Sequence, residues 1–523
     1  MLIDFHHDNW YNGCNLNDGG MDMALENTIK EFKEHLGKIR MYSEAMSTLS
    51  FDGETIAPIG SIEARSKRAG FFGLEIFNLT TSDKLGNLLK ELEPHVATFD
   101  DVLKGEYRNA KKSYDEGTKI PAELVREMSE LQEAASAIWA QARAENDFNK
   151  FAPYLKRLIE LEKKVISYRS KGEKPYDILL DDYEDGMNME VYDEFFNKLK
   201  ESLVPLLKKI KESNKNIDRS FVNAHVALSS QKEISKLIAE KLGYDLNRGY
   251  IAESTHPFCS GSNKYDVRMT TRYIEDDFLS SLYSVMHESG HAIYEQNVAD
   301  EIAHTILGSG ASMGIHESQS RFYENYLGRS LAFWEVIRED LSKLLPEELQ
   351  NMTPQQYYEA VNEVKPSLIR VESDELTYNL HIIIRYEIER MLFTEDIDVN
   401  DLPEIWNKKY EEYLGITPPT NALGVLQDIH WSFGAYGYFP TYALGSAYSA
   451  QIVAYMKKDL DIEGLIKAQD FARIKGWLGE KIHQYGKIYT PNQLMEKSFG
   501  EKFNADYYVA YLTEKYSKLY ELA

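Results

Sequence analysis

Apolar residues recur with a period near three and a half along almost the whole chain, and nothing else constrains the fold as strongly. The pattern predicts helices over 23–49, 63–92 with a break near Thr80, 103–116, 122–146, 151–169 and 189–211. It resumes over 276–298, 315–326, 331–343, 354–363, 371–393, 402–413, 441–457, 462–477 and 503–520. Alternation of period two appears near 248–254 and 265–271, enough for a small sheet, and 170–188 reads as a loop or short turns. No tandem repeat or low-complexity linker divides the chain. The expectation is a mainly α, multi-helix fold of two lobes about a cleft, with a small β element. Residues 1–22 form a leader outside this pattern; 23–523 are read as one domain, with 23–211 its helical N-terminal part.

Charge and cysteine content narrow the function. Acidic residues number 84 and basic residues 59, a net charge of −25. Nucleic acid or an anionic membrane is a poor partner for such a surface, and any carboxylate-binding site must carry its own local cations. Two cysteines, Cys14 and Cys259, exclude a disulfide scaffold and a Cys-rich zinc site, and fit a reducing compartment. The N-terminus lacks the basic and apolar regions of a signal peptide, and no run of 18 apolar residues occurs. The expected location is the cytoplasm.

The strongest chemical signal is His287-Glu288-Ser289-Gly290-His291. Histidines four apart share one helix face, so both imidazoles can meet one zinc ion at about 2.0–2.1 Å. Glu288 is placed to take a proton from a water at that ion without ligating it. Apolar neighbours Val285, Met286, Ala292 and Ile293 mark a buried helix, where unpaired histidines are costly. Two imidazoles leave zinc under-coordinated. Glu317, in the cluster His316-Glu317-Ser318-Gln319, follows His291 by 26 residues, room for a turn and a return helix. His316 and His304 are rival ligands, although neighbours on a helix point about 100° apart and only one of 316 and 317 can bind.

Six motifs in order resemble the carboxypeptidase Taq family of thermostable-type zinc metallocarboxypeptidases: His256-Pro257-Phe258, Asp266-Val267-Arg268-Met269-Thr270, the His287–His291 motif, His316-Glu317-Ser318-Gln319, Ile369-Arg370-Val371-Glu372-Ser373-Asp374, and Gly424-Val425-Leu426-Gln427-Asp428-Ile429-His430-Trp431. One departure is Ser373, where the family usually has Ala. The resemblance covers nearly everything after the leader. It implies a helical fold with a deep central groove, like the neurolysin and angiotensin-converting enzyme group, in which the N-terminal helices lid the groove. It implies one zinc ion, or cobalt, on His287, His291 and Glu317, and release of single C-terminal residues from peptides with broad specificity by a homodimer. The alternatives are an oligoendopeptidase or dipeptidyl carboxypeptidase of the same fold, or a non-catalytic peptide-binding protein.

Physical roles can be set beside these motifs. A rigid guanidinium fork suits a terminal carboxylate, so Arg268 and Arg370 are candidate substrate-binding residues, with internal salt bridges (to Asp266, and to Glu372 or Asp374) as the competing use. The resemblance to the converting-enzyme pattern assigns Tyr438 to oxyanion stabilisation with His430 as its partner; the spacing leaves Tyr436 open. Pro257 restrains His256 to an extended conformation, where it bonds substrate or fastens the groove wall. The Gly-rich segment 308–314 lacks the Lys-Ser/Thr end of a phosphate loop and reads as groove wall. Asp428 is placed to orient an imidazole.

Overall fold

A computed structural model describes residues 23–213 and 215–522. Nine described helices precede a sheet: α1 (Met23–Thr55), α2 (Ile62–Thr80), α3 (Asp83–Leu92), α4 (Asp101–Lys119), α5 (Ala122–Glu145), α6 (Phe148–Arg169), α7 (Pro175–Tyr183), α8 (Met189–Glu212) and α9 (Leu228–Leu242). Strands β1 (Gly249–Glu253), β2 (Cys259–Asn263) and β3 (Asp266–Thr271) follow, then α10 (Phe278–Gln296), α11 (Met313–Arg321), α12 (Leu331–Ser342), α13 (Glu347–Gln350), α14 (Pro354–Val361), α15 (Glu375–Thr394) and α16 (Leu402–Leu414). The chain closes with α17 (Pro440–Asp459), α18 (Ile462–Lys467), α19 (Phe471–Lys481), α20 (Pro491–Phe499) and α21 (Asp506–Leu519). The fold is mainly α with a small β element, and no helix among the described residues is long and apolar enough to cross a membrane. The leader 1–22 lies outside the described residues.

Differences from the sequence reading have local causes. The stretch read as a loop contains α7, started by Pro175 at its first position. Helices α9 and α20 and strand β2 went unread; β2 is Cys-Ser-Gly-Ser-Asn and carries no alternation to detect. The helix predicted over 462–477 is two, parted at Gln469, whose φ is 57°. The helix predicted from 371 starts at Glu375, because the Asp374 carboxylate accepts from the amides of Leu376 and Thr377 and caps it.

The sheet order is β1-β3-β2. β1 runs parallel to β3 with Tyr250 opposite Arg268, and β2 runs antiparallel with Cys259 opposite Met269. Val267 and Met269 are buried, and the Ser289 hydroxyl of α10 points at the Met269 sulfur, so this face of β3 packs on α10. Alternation turns Asp266 and Arg268 to the other face, towards α1, whose Phe51 ring lies 5.4 Å from the Arg268 guanidinium carbon.

One large apolar core runs through the helices from α5 onward. The N-terminal layer has its own: α1, α3 and α4 bury Phe32, Leu36, Leu85, Leu89 and Leu92 against one another. Polar bonds fasten this layer to the rest. Ser47 and Thr48 share hydroxyl bonds with Ser260 and Ser262, Arg40 donates to the carbonyls of Ser262 and Gly308, and Arg108 donates to those of Lys487 and Ile488.

Candidate metal centre

Helix α10 begins at Asp277, whose side chain accepts from the Ser280 amide, and is buried along most of its length. His287, His291 and Glu295 follow at four-residue intervals on one face. Helix α11 is fixed at its start by Ser312 as N-cap and by Glu184, which accepts from the Ser312 hydroxyl and the Gly314 amide at 2.8 Å each. The two helices approach so closely that a Cβ on Gly290 would stand 2.5 Å from the Gln319 carbonyl oxygen and from Ser320 Cα. On the other side of α11, Gly445 of α17 lies against the Glu317 side chain. Small residues thus let three helices converge on one carboxylate.

Ligand atoms of His287, His291 and Glu317 lie within 4.8 Å of one another, the one such group among the described residues. The Glu317 Oε2 atom is 3.5 Å from His287 Nε2 and 3.4 Å from His291 Nε2. Tetrahedral bonds of about 2.0–2.1 Å require ligand separations of about 3.3–3.4 Å, so the donor set fits a single zinc ion. His316 and His304 are not part of the set. His304 is exposed and stacks on Tyr265. His316 stands behind His291, with its Nδ1 2.6 Å from His291 Nδ1 and its Nε2 2.7 Å from Glu295 Oε1.

These outer contacts set the tautomers. His287 Nδ1–H donates to Glu324 at 2.9 Å, leaving Nε2 for the metal. His316 donates Nε2–H to Glu295, so its Nδ1 accepts from His291 Nδ1–H and frees His291 Nε2 likewise. Sequence reasoning passed over Glu324 and Glu295. Glu324 follows Glu317 by seven residues in a π-helical turn, Phe322–Gly328, of the kind that often marks functional sites. Arg321 clamps the row, donating to Glu317 at 2.7 Å and to Glu324 at 3.1 Å.

Electrostatics follow from burial. The Glu288 carboxyl is pushed up to about 7 by burial, with His287 opposing and Glu317 and Glu324 adding to the rise. Burial pulls His287 down, but Glu317 and Glu324 outweigh it and lift the imidazole to about 9; burial holds His291 at about 4. Glu317 stays well below the usual range: burial opposes this, and Arg321 and His287 overcome it.

A second cluster lies beside the triad. Arg370, 5% exposed, donates to Asp428 Oδ1 through Nε at 3.1 Å and NH2 at 2.9 Å, and to the Tyr378 hydroxyl at 3.1 Å. Arg385 donates to Asp428 Oδ2 at 2.7 Å. Asp428 therefore serves two arginines and does not bond an imidazole as expected from sequence; Arg370's partner is Asp428, not Glu372 or Asp374. The His430 ring lies 5.5 Å from that of Tyr438, its Nδ1 is buried without a partner, and burial holds it at about 4. Tyr438 packs on Tyr442 at 5.1 Å and feels the Glu317 charge. Tyr436, 1% exposed, instead packs on Phe393 in the core. Glu389 holds this segment by accepting from Tyr176, Trp431 and the Gly437 amide. Arg268 forks onto Asp266 at 2.6 and 2.7 Å on the α1 side of the sheet. His256 is exposed at the corner before β2, where the Ser254 hydroxyl donates to its carbonyl.

A two-His, one-Glu site with a glutamate between its histidines, on a helical fold, defines a zinc metallopeptidase. The chain belongs to the carboxypeptidase Taq (M32) metallopeptidase family, whose model matches residues 31–516, and is a zinc-dependent metallocarboxypeptidase. It is 43% identical over 501 residues to carboxypeptidase 1 of Bacillus subtilis, covering 96% of this chain and all of that one. It is 38% identical over 500 residues to thermostable carboxypeptidase 1 of Pyrococcus furiosus, covering 95% and 100%. The solved structure of the Pyrococcus furiosus carboxypeptidase superposes with a TM-score of 0.91 at 38% identity, covering 94% of this chain and 99% of that one.

Proposed function

We propose that the enzyme releases single residues from peptide C-termini with broad specificity, and that Arg370 reads the terminal carboxylate. Two guanidiniums, Arg370 and Arg385, share the one carboxylate of Asp428, which leaves net positive charge beside the aromatic wall of Tyr438 and Tyr442. This surplus carries the reading. In a protein of net charge −25, long-range attraction cannot bring an anion to the site. Arg268 and His256 are candidate substrate contacts further along the peptide; the Asp266 fork and the α1-facing position make Arg268 the weaker carboxylate reader.

His287, His291 and Glu317 would hold the zinc, which supplies Lewis acidity for a water and for the scissile carbonyl. Glu288 accepts the water's proton and passes it to the leaving amine. Tyr438, protonated at neutral pH, and His430 donate to the carbonyl oxygen as it gains charge. A homodimer is proposed on the family resemblance, and a cytoplasmic site on the low cysteine content.

The test is kcat/KM for matched free-acid and C-terminally amidated peptides. An amide leaves the guanidinium's desolvation uncompensated, at about 3 kcal/mol or on the order of a hundredfold. Arg370→Ala should shrink that ratio, with Arg268→Ala measured alongside. Equal cleavage of both peptides by wild type would favour the endopeptidase reading.

A further inference from the structure

Tyrosines packed beside charged groups in this protein give their hydroxyl proton to carboxylates. Tyr386 donates to Asp193, Tyr413 to Glu387, and Tyr511 and Tyr516 to Glu375. Tyr378 does the reverse. Its hydroxyl oxygen accepts from Arg370 at 3.1 Å, and among the described residues no acceptor takes its own proton. Glu375, three residues away, is taken up by Tyr511, Tyr516 and Lys515. A hydroxyl that accepts from a cation is polarised into a stronger donor, which suits it to an anion.

The side chain is firmly mounted and accessible. Tyr378 stands in the first turn of α15, where its amide donates to the Asp374 carbonyl at 2.9 Å and Asp374 caps the helix. Leu376, Thr377, Asn379 and Leu380 around it are buried, whereas Tyr378 keeps solvent access, as do Tyr438 and Tyr442. The ring centres of Tyr378 and Tyr442 are 6.3 Å apart, and Tyr442 leads on to Tyr438 at 5.1 Å. Tyr378 thus extends the accessible aromatic wall of the site as far as Arg370.

Contacts on two sides place it relative to the chemistry. The Arg321 guanidinium carbon lies 5.2 Å from the Tyr378 ring centre, and Arg321 donates to the metal ligand Glu317 at 2.7 Å. The Arg370 guanidinium carbon lies 5.9 Å from the same ring centre. Tyr378 therefore spans the gap between the clamp on a metal ligand and the guanidinium beyond it. A carboxypeptidase releases one residue, so the terminal carboxylate lies within about 4 Å of the scissile carbonyl carbon, and the groups that read it must stand close to the metal ligands. Donor atoms 3.1 Å apart can bond one carboxylate together. The competing use is that of a spacer: the ring faces two guanidiniums and keeps them apart through cation–π contact. Phenylalanine would do that equally well.

We propose that the Tyr378 hydroxyl is a second donor to the peptide's terminal carboxylate, a specificity-determining substrate contact beside Arg370. The inference rests on the reading of Arg370 given under the proposed function, and adds to it a neutral donor on a separate helix.

The test compares wild type with Tyr378→Phe, which keeps the ring and removes only the hydroxyl. With matched free-acid and amidated peptides, the acid-to-amide ratio of kcat/KM should fall about five- to tenfold, carried by KM, because a bond to a carboxylate is worth more than one to a neutral amide. Dissociation constants of the same peptides on zinc-loaded Glu288→Gln protein, with and without Tyr378→Phe, should shift by the same factor without turnover. Zinc affinity, measured by chelator competition, should stay within about twofold. In Arg370→Ala protein, where Asp428 still holds Arg385, Tyr378→Phe should weaken free-acid binding further. An unchanged acid-to-amide ratio in Tyr378→Phe, or a zinc affinity that falls with it, reduces Tyr378 to a spacer and overturns the proposal. No further loss in the Arg370→Ala background reduces it to a support for Arg370 and overturns it too. If wild type treats acid and amide alike, the terminal-carboxylate reading falls and this inference with it; if Arg370→Ala loses the ratio and Tyr378→Phe keeps it, only this inference falls.

Discussion

Gly290, inside the zinc motif, is where a single methyl group should cost the most. Its missing Cβ would lie 2.5 Å from the Gln319 carbonyl oxygen and from Ser320 Cα, whereas ordinary contacts begin at 3.4 Å. Both neighbours are backbone, so no side-chain rotation relieves the clash. Helix α11 must back away from α10 by about 0.9 Å, and Gly445 of α17 already lies against Glu317 on the far side. Glu317 Oε2, now 3.4 and 3.5 Å from the two imidazole nitrogens, would stand about 4 Å or more from them. Zinc coordination tolerates about ±0.2 Å. Gly290→Ala should therefore lose zinc affinity by on the order of a hundredfold, on top of about 1–3 kcal/mol of overpacking. Chelator competition measures the first, and thermal denaturation with and without zinc the second. Gly476→Ala in α19 is the control, because nothing lies within 4 Å of its Cβ position, and it should be neutral or stabilising by up to about 1 kcal/mol. Zinc affinity within twofold of wild type and an unchanged Tm in Gly290→Ala would refute the convergence argument.

Two further outcomes are expected. Glu324→Gln weakens the bond that fixes His287, and zinc affinity should fall about 10–100-fold, as chelator competition would show. Glu106, 2% exposed, is pushed up to about 7 by burial, with Lys33 opposing and Asp100 adding. A raised folded-state value means its contribution to stability is complete below the unfolded value of 4.5 and is lost as pH rises through about 7. Glu106→Gln should therefore gain on wild type by up to about 3 kcal/mol between those limits; thermal denaturation at pH 5 and pH 8 checks it, and a pH-independent difference would count against it.

What the sequence revealed was local. His287, Glu288 and His291 share one helix turn, so spacing alone placed them, and Glu317 followed from the need for a return helix. Most long helices were legible because apolar periodicity records which face is covered. The unread parts depend on what the chain meets far away. Nothing in the run around Asp428 announces that Arg370 and Arg385 converge on it, from 58 and 43 residues away. Glu184 caps a helix 130 residues later. Strand β2 failed for another reason: a small polar strand has no pattern until its neighbour supplies the register.

The separate apolar core of α1, α3 and α4 has a consequence for motion. A layer that carries its own core keeps it when it moves. Parting it from the body exposes the small apolar cluster around Val102, Ile302 and Leu307 and the Phe51 ring, and trades polar bonds that include those of Arg40, Ser47, Thr48, Arg108 and Lys112 for bonds to water. Each such exchange costs about 1 kcal/mol, far less than melting the layer. Opening and unfolding are thereby uncoupled, and the N-terminal helices form a cooperative block that can swing while folded.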